Sequence, residues 1–111
     1  MFADAELSEV FAHGSHTPIR AWRALQGYSD SNVEFVDVCV IPPGADIGLH
    51  THEPGNEEIY IIVAGEGVIH LDGAEHHVVA GDVALNRPGG THGLTNTGSV
   101  ELLLVVIEVS V

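Results

Sequence analysis

Two histidines and a glutamate stand in the stretch that decides the fold. It runs Gly44-ADIGL-His50-T-His52-EPGN-Glu57-Glu58-IYIIVA-Gly65. In a β-strand, residues two positions apart project from the same face, so His50 and His52 point their imidazoles in parallel. After a turn, an apolar run begins at Glu58, and the same alternation places Glu58, Tyr60 and Ile62 on one face. The stretch therefore predicts two strands that each present metal-binding side chains on one face.

A second stretch downstream carries one more histidine. It runs Gly81-DVALN-Arg87-PGGT-His92-GLT-Asn96, and His92 and Asn96 share a face by the same alternation. Three neutral imidazoles and one carboxylate suit Fe, Mn, Ni, Cu, Co or Zn better than Ca or Mg, which prefer oxygen ligands. The sequence thus predicts one divalent transition metal per chain, with two octahedral positions left open. The predicted ligands are His50, His52, Glu58 and His92.

Together the two stretches resemble the motifs of the cupin superfamily, and specifically its small single-domain members with the conserved-barrel motif. The first motif, G-x5-H-x-H-x3–4-E-x6-G, is matched over residues 44–65. Glu58 has the motif's spacing to Gly65, whereas Glu57 has the usual spacing from His52. We favour Glu58 because strand register downstream is rigid, while the turn at residues 53–56 easily absorbs an extra residue. Glu57 is the alternative ligand.

The second motif of the superfamily is G-x5-P-x-G-x2-H-x3-N. It is matched over residues 81–96, except that Arg87 stands where the first proline is expected. The resemblance covers residues 33–108. It implies a metal held by the motif residues. It also implies a choice among dioxygenases, decarboxylases, sugar isomerases, metal-dependent cyclases and binders without turnover.

Short apolar runs punctuated by glycine and proline predict an all-β fold. Asp72-Gly73 is the signal of a tight hairpin turn. Many short strands at regular spacing predict a jelly-roll, or double-stranded β-helix, barrel of two antiparallel sheets. A chain of 111 residues has room for one core, so we expect a single domain over residues 1–111, with an N-terminal arm at 1–18 and the barrel at 19–110. Residues 3–12 are expected to form a short helical turn or an irregular part of this arm.

The net charge of the chain limits the classes of molecule that it is expected to bind. Sixteen acidic residues face three arginines and no lysine, for a formal net charge of −13. Such a surface repels nucleic acid and anionic membranes, so neither is expected as a partner. The same charge disfavours anionic substrates and favours a small neutral or cationic molecule. An anionic substrate would still be possible if Arg87 bound it, because a guanidinium can hold a carboxylate through two hydrogen bonds. The alternative role of Arg87 is a salt bridge at the barrel rim.

The apolar runs bear on location and assembly. The N-terminus is acidic without an apolar signal core, and the longest apolar run, residues 102–107, is too short to span a bilayer. The single cysteine, Cys39, cannot form an internal disulfide, and we expect a cytoplasmic protein. The run at 102–107 is apolar on both strand faces, although an antiparallel strand with a solvated face should alternate. We therefore expect a homodimer, formed by packing or by strand exchange.

A metal with open positions is typical of non-haem iron oxygenases, so the sequence favours a metal-dependent enzyme with dioxygenase-type chemistry. Tyr60 is the candidate catalytic residue, since it shares a strand face with Glu58; its alternative role is core packing. Arg87 and Asn96 are candidate substrate-pocket residues. The alternative functions are a metal-dependent isomerase or cyclase and a non-catalytic small-ligand-binding module. The other five histidines are not expected to bind the metal. His13 and His16 are expected at exposed positions and His70 on a strand exterior, while the adjacent His76 and His77 face opposite sides of a strand, so that at least one is solvated.

Overall fold

The computed structural model describes residues 6–26 and 30–111, and most of this part of the chain is β-strand. Within it the strands are β1 (Ser8–Val10), β2 (Ile19–Gln26), β3 (Val33–Ile41), β4 (Asp46–Thr51), β5 (Asn56–Ala64), β6 (Glu66–Leu71), β7 (Ala74–Val79), β8 (Val83–Asn86), β9 (Thr91–Thr95) and β10 (Leu102–Ser110). A short 3-10 turn, Ala12–Gly14, follows β1. In the described residues no helix has the length and apolar character needed to cross a membrane.

The strands form two antiparallel sheets that enclose one apolar core. The larger sheet has the order β1-β2-β3-β10-β5-β8, and the smaller has the order β4-β9-β6-β7. Most neighbours within each sheet are distant in sequence, as when β10 lies between β3 and β5. This arrangement confirms the predicted jelly-roll barrel of two antiparallel sheets.

Three strands carry both a core residue and a polar residue on their inward faces. The pairs are Ile47 and His50 on β4, Ile62 and Glu58 on β5, and Leu94 and His92 on β9. The apolar members belong to one buried cluster and are at most 5% exposed. In the register of β4 with β9, Ile47 lies opposite Leu94 and His50 opposite His92. The polar members therefore gather at one end of the apolar core.

The hairpin between β6 and β7 turns at Asp72-Gly73, as the sequence predicted. Both residues have positive φ, 48° for Asp72 and 88° for Gly73. A two-residue turn of this type needs positive φ at both positions, which glycine adopts without strain and aspartate tolerates. The turn pairs Leu71 with Ala74 and so fixes the register of the hairpin.

The N-terminal segment differs from the expectation of a helical turn or an irregular arm. Ser8–Val10 instead forms a strand that pairs antiparallel with β2, and the turn Ala12–Gly14 packs against β4. Residues 1–5 lie outside the described part of the chain. A three-residue strand is too short to show alternation in the sequence; pairing along the edge of β2 makes it a strand. The segment thus extends the large sheet and reaches the site described next.

Candidate metal centre

Four side chains converge at one end of the barrel: His50, His52, Glu58 and His92, hereafter the His–Glu cluster. One nitrogen or carboxylate oxygen from each lies within 4.8 Å of the others. His50 belongs to β4, His52 follows that strand, Glu58 belongs to β5 and His92 to β9. The fold thus brings together the four residues that the sequence predicts as ligands. Glu57 points away from them, because it precedes Glu58 on the same strand.

The spacing of these atoms fits a single ion. Nε2 of His52 is 3.0 Å from Oε1 of Glu58 and 3.2 Å from Nε2 of His50. Nε2 of His92 is 3.1 Å from the same Glu58 oxygen. Two ligands at right angles, each about 2.1 Å from a metal, are about 3.0 Å apart. The His–Glu cluster could therefore hold one divalent transition metal with neighbouring ligands at right angles.

Two of the imidazoles are oriented by hydrogen bonds from their other nitrogen. Nδ1 of His50 donates to the carbonyl of Gly48 at 2.7 Å. Nδ1 of His52 donates to Oδ1 of Asn56 at 3.1 Å. A proton held on Nδ1 leaves the lone pair of Nε2 free, and the bond fixes the ring plane. Both rings are therefore set to ligate through the nitrogen that faces the cluster.

Burial and neighbouring charges set the protonation of the His–Glu cluster. Burial lowers the pKa of His50 to about 4, so this imidazole is neutral at pH 7. Burial by itself would raise the pKa of Glu58, but its hydrogen bond with His92 and the nearby histidines outweigh burial and lower it. A neutral imidazole and an ionised carboxylate are the forms that ligate a metal.

An asparagine that the sequence reasoning missed lies beside the cluster. Asn86 is opposite Glu58 in the register of β8 with β5, and it is 2% exposed. Neither its amide nitrogen nor its amide oxygen has a hydrogen-bond partner among the described residues, and the same holds for Nδ1 of His92. Buried polar groups are normally hydrogen-bonded, so these three atoms are exceptions, and an ordered water is the partner expected for them. Only the pairing of β8 with β5 reveals this position.

A cavity of about 260 Å³ opens beside the His–Glu cluster, with His52, Glu58 and Tyr60 in its wall. Tyr60, the predicted catalytic residue, is 2% exposed, and burial raises its pKa well above the ordinary value. Its ring meets that of His92 edge to face, with the ring centres 5.3 Å apart. The phenol therefore stays protonated and lies against both the apolar core and the cavity.

Neither of the two residues expected in a substrate pocket, Arg87 and Asn96, lines this cavity. Arg87 is exposed in the turn between β8 and β9, and it neither lines the cavity nor forms an ion pair with any described residue. Asn96 is 1% exposed, and its amide donates to the carbonyls of Ile41 and Val100, each at 2.8 Å. It also accepts from the amide of Gly98 at 2.9 Å. Asn96 thus ties the 96–100 turn to β3 and has no free polar atom to offer a ligand.

Three further side chains, at the cluster or in the wall of the cavity, were not predicted from the sequence as site residues. His13 is exposed, as expected, yet its ring stacks on that of His50 with the ring centres 3.4 Å apart. Glu108 lies opposite Glu58 in the register of β10 with β5, with Oε1 3.6 Å from Nδ1 of His52. The cavity also contains the guanidinium of Arg23. The positions of Glu108 and Arg23 follow from the pairing of distant strands, which the sequence does not encode locally.

The comparison with known families agrees with this geometry. A family model described as a cupin domain matches residues 37–108. The chain belongs to the cupin family. This cupin is 43% identical over 67 residues to an oxalate-binding protein of Thermotoga maritima, a match that covers 60% of this chain and 54% of that protein. It is 35% identical over 66 residues to an uncharacterized protein of Methanocaldococcus jannaschii, covering 60% and 52%.

Solved structures share the barrel fold of this cupin. A predicted oxalate decarboxylase of Thermotoga maritima superposes with a TM-score of 0.92 at 28% identity, covering 98% of this chain and 96% of that one. A conserved-barrel cupin of Salinispora arenicola gives a TM-score of 0.67 at 28% identity, covering 81% and 74%. By contrast, this cupin spans about half the length of the curated relatives that it matches.

Proposed function

We propose that this cupin is a metal-dependent enzyme that acts on a small neutral or cationic molecule by dioxygenase-type chemistry. The observation that carries the proposal is that two members of the His–Glu cluster, His52 and Glu58, lie in the wall of the cavity of about 260 Å³. Four protein ligands leave two positions of an octahedral ion for other molecules. A ligand in the cavity could reach such an ion through the side of the cluster formed by His52 and Glu58. Structural zinc sites, in contrast, are closed and rich in cysteine.

A transition metal held by the His–Glu cluster would supply a Lewis acid and, if it were iron, redox chemistry toward dioxygen. The residues of the chain orient the imidazoles of the cluster and limit water in the cavity. Hydrogen bonds to Gly48 and Asn56 hold the rings of His50 and His52. The apolar side chains of Ile47 and Val106 limit water in the cavity. Water exclusion strengthens electrostatic interactions with a bound molecule.

Two side chains could handle a proton or a hydrogen bond in the cavity. The hydroxyl of Tyr60 is buried and protonated, so it serves as a donor. Glu108 lines the same cavity without belonging to the His–Glu cluster. The tyrosine thus offers a hydrogen-bond donor, and the carboxylate of Glu108 offers an acceptor for a hydrogen bond or a proton, on one cavity wall besides the metal ligands.

The charge of the cavity supports a neutral or cationic substrate. Its carboxylates include Asp37 and Glu108, and its guanidinium, Arg23, is bound by Asp37 through two N–H groups at 2.9 and 3.0 Å. The chain as a whole carries −13. An anion would therefore approach against the field of the protein.

The test is oxygen consumption by protein loaded with Fe²⁺ under argon and then mixed with phenols, diketones and amines. We expect substrate-dependent uptake that the His52→Ala variant loses while keeping its circular dichroism spectrum. Metal binding with no uptake for any of these compounds would contradict the dioxygenase proposal. An isomerase or cyclase would consume substrate without oxygen, so product analysis under argon separates it.

A second candidate function is binding of a small dicarboxylate without turnover. It is favoured by the oxalate named for the relatives in Thermotoga maritima. A divalent ion held by one carboxylate and three neutral imidazoles keeps a net positive charge, which attracts an anion locally. Calorimetric titration of metal-loaded protein with oxalate tests this candidate. Tight binding that leaves oxalate intact would support the binder over the enzyme.

We also propose that the protein is a homodimer. Two cross-strand rows of apolar side chains lie on the outer face of the large sheet: Val105, Ile61 and Val83 in one row, and Ile107, Ile59 and Leu85 in the other. Val83 is 64% exposed and Leu85 45% exposed. A contiguous apolar face of this kind is typical of protein–protein contacts. The cytoplasmic location expected from the sequence stays a prediction.

A further inference from the structure

The cavity extends well beyond the His–Glu cluster. Its wall continues from Glu58 on β5 across β10 and β3 to Arg23 on β2. Neighbouring strands lie about 4.8 Å apart, so the three steps from β5 to β2 span about 14 Å. The cavity therefore has a metal end, at the His–Glu cluster, and a far end, at Arg23.

The volume of the cavity exceeds what a very small ligand fills. A closed apolar cavity of about 150 Å³ is enough for benzene, which has six heavy atoms, the same number as oxalate. The cavity here measures about 260 Å³. A ligand that filled it would have roughly ten heavy atoms by the same proportion. Oxalate at the metal end would leave the far end to water.

The middle of the cavity is apolar. Its wall contains the side chains of Ile19, Ala21, Ile47 and Val106. Water gains few hydrogen bonds against such a wall, and an apolar group that displaces it is stabilised by about 25 cal/mol for each Å² buried. This part of the cavity favours an apolar, flat body over a chain of hydroxyl groups.

The far end combines a stacked guanidinium with an acid. Arg23 lies over the ring of Phe35, 4.0 Å from its centre, and donates two hydrogen bonds to Asp37. A guanidinium has five N–H groups, so three remain for another acceptor. Because Asp37 neutralises the charge of Arg23, the far end offers a carboxylate no net positive charge, whereas a neutral acceptor can still take a hydrogen bond from Arg23.

From these features we infer that the ligand of this cupin is a neutral aromatic or enolic oxygen chelator of about ten heavy atoms, longer than oxalate. Two adjacent oxygens bind the metal at the His–Glu cluster. The flat apolar body lies along Ala21 and Val106, and a neutral acceptor on its far side meets the free N–H groups of Arg23. The inference rests on the proposed metal site and names the class of molecule that the site takes.

The experiment uses Co²⁺-loaded protein under argon and follows the visible absorption of the metal during titration. The probes are oxalate, catechol and 2,3-dihydroxynaphthalene, which share two adjacent oxygens and differ in the size of the body. We expect the naphthalene to bind at least tenfold more tightly than catechol, because its second ring displaces water from the apolar wall. A naphthalene that carries a sulfonate on the second ring should bind at least tenfold more weakly than the neutral one.

Ala21→Leu fills part of the apolar middle of the cavity on β2, away from the His–Glu cluster, and should cancel most of the preference for naphthalene while leaving oxalate and catechol affinities within about twofold. Ala24→Leu, an exposed position on the same strand, is the matched control and should retain the preference. If Ala21→Leu does not fold, the ratio of naphthalene to catechol in the unaltered protein still decides. Equal affinities for the three probes would overturn this inference and leave the proposed metal site standing. Failure of the protein to take up Co²⁺, or of the Co²⁺ form to bind any probe, would instead contradict the proposed function.

Discussion

The imidazole of His13 lies flat on the imidazole of His50, with ring centres 3.4 Å apart and planes 6° from parallel. His13 has φ 54° and ψ 47°, a left-handed conformation that histidine tolerates better than most residues. The contact depends on Gly48, because a Cβ there would lie 2.4 Å from the carbonyl oxygen of His13. The carbonyl of Gly48 in turn accepts from Nδ1 of His50. One glycine thus admits the N-terminal turn and orients the ring beneath it.

The stack predicts a role for His13 in positioning His50. His13→Asn keeps a residue that tolerates positive φ but removes the ring, and we expect metal affinity to fall about two- to tenfold. Competition with a coloured chelator measures the affinity. His16→Asn, the same substitution at an exposed site three residues along, should leave it unchanged. An unaltered affinity in His13→Asn, with thermal stability unchanged, would show that the stack does not position His50.

Glu58 and Glu57 give a direct test of which carboxylate belongs to the site. Oxygen Oε1 of Glu58 lies within 3.1 Å of two imidazole nitrogens, whereas Glu57 projects from the opposite strand face. We expect Glu58→Gln to weaken metal binding by more than about 100-fold, the upper range for loss of a group that only orients a ligand. Glu57→Gln is the matched control and should bind as the unaltered protein does. The reverse result would assign the ligand to Glu57.

The comparison of the two glutamates also shows how far the sequence could predict the site. Alternation placed Glu58 and Tyr60 on one face, and in the structure both side chains are buried. The jelly-roll barrel was predicted and is confirmed, because glycine, proline and apolar alternation mark strands locally. Contacts made between distant strands were not predictable in this way. Asn86 and Glu108 flank Glu58 only because β8 and β10 pair with β5.

Contacts between distant strands also explain why the sequence pointed to Asn96 and Arg87 as pocket residues and not to Arg23. Asn96 has the spacing of a motif residue, but its hydrogen bonds go to backbone groups of a turn that the sequence does not show as such. The sequence predicts Arg87 as a pocket residue because Arg87 stands at the position of a motif proline, whereas Arg23 lies in no motif. Arg23 reaches the cavity because its strand lies beside β3, where it pairs with Asp37. Motifs identify residues near the chain segment that they describe, and topology decides which other residues join them.

Asn56 should tune metal affinity without binding the metal. Its side-chain oxygen accepts from Nδ1 of His52 at 3.1 Å, a contact that fixes the ring and the tautomer. Asn56→Ala is expected to lower metal affinity about 10- to 100-fold, whereas Asn56→Asp keeps an acceptor and should lose less. Asn32→Ala removes an exposed amide of the same size and serves as the control. If Asn56→Ala binds metal normally, the hydrogen bond does not set the position of His52.

The pH dependence of metal affinity should reflect the release of at most two protons. A metal displaces protons from imidazoles, so affinity falls as the pH drops. Burial lowers the pKa of His50 to about 4, and this ring therefore carries no proton to displace at about pH 5 or above. The other two imidazoles can each release one proton at most. Between about pH 5 and 6 we expect the logarithm of the Co²⁺ binding constant to rise with a slope no greater than two.

Competition with a chelator of known proton dependence measures that slope. His70→Asn, which changes a half-exposed histidine of β6, should leave it the same. A slope near three would mean that His50 is protonated at about pH 5 in the metal-free protein. A constant affinity from about pH 8 down to about pH 5 would count against histidine ligation altogether.

If the outer apolar rows of the large sheet form the dimer interface, charged residues placed in them should dissociate the homodimer. Val83 and Leu85 occupy one edge of these rows and are the most exposed of their members. Lysine at both positions would have to be desolvated in a dimer, and we expect Val83→Lys/Leu85→Lys to weaken association at least about 100-fold. The control variant, Leu49→Lys/Val100→Lys, makes the same change at two positions that are 64% and 61% exposed and lie outside the large sheet. It should not weaken association. Light scattering at micromolar concentration should give twice the chain mass of 11.7 kDa for the unaltered protein and the control, and the chain mass for the double variant. A monomeric mass for the unaltered protein would refute the dimer, and a dimeric mass for the double variant would move the interface to another face.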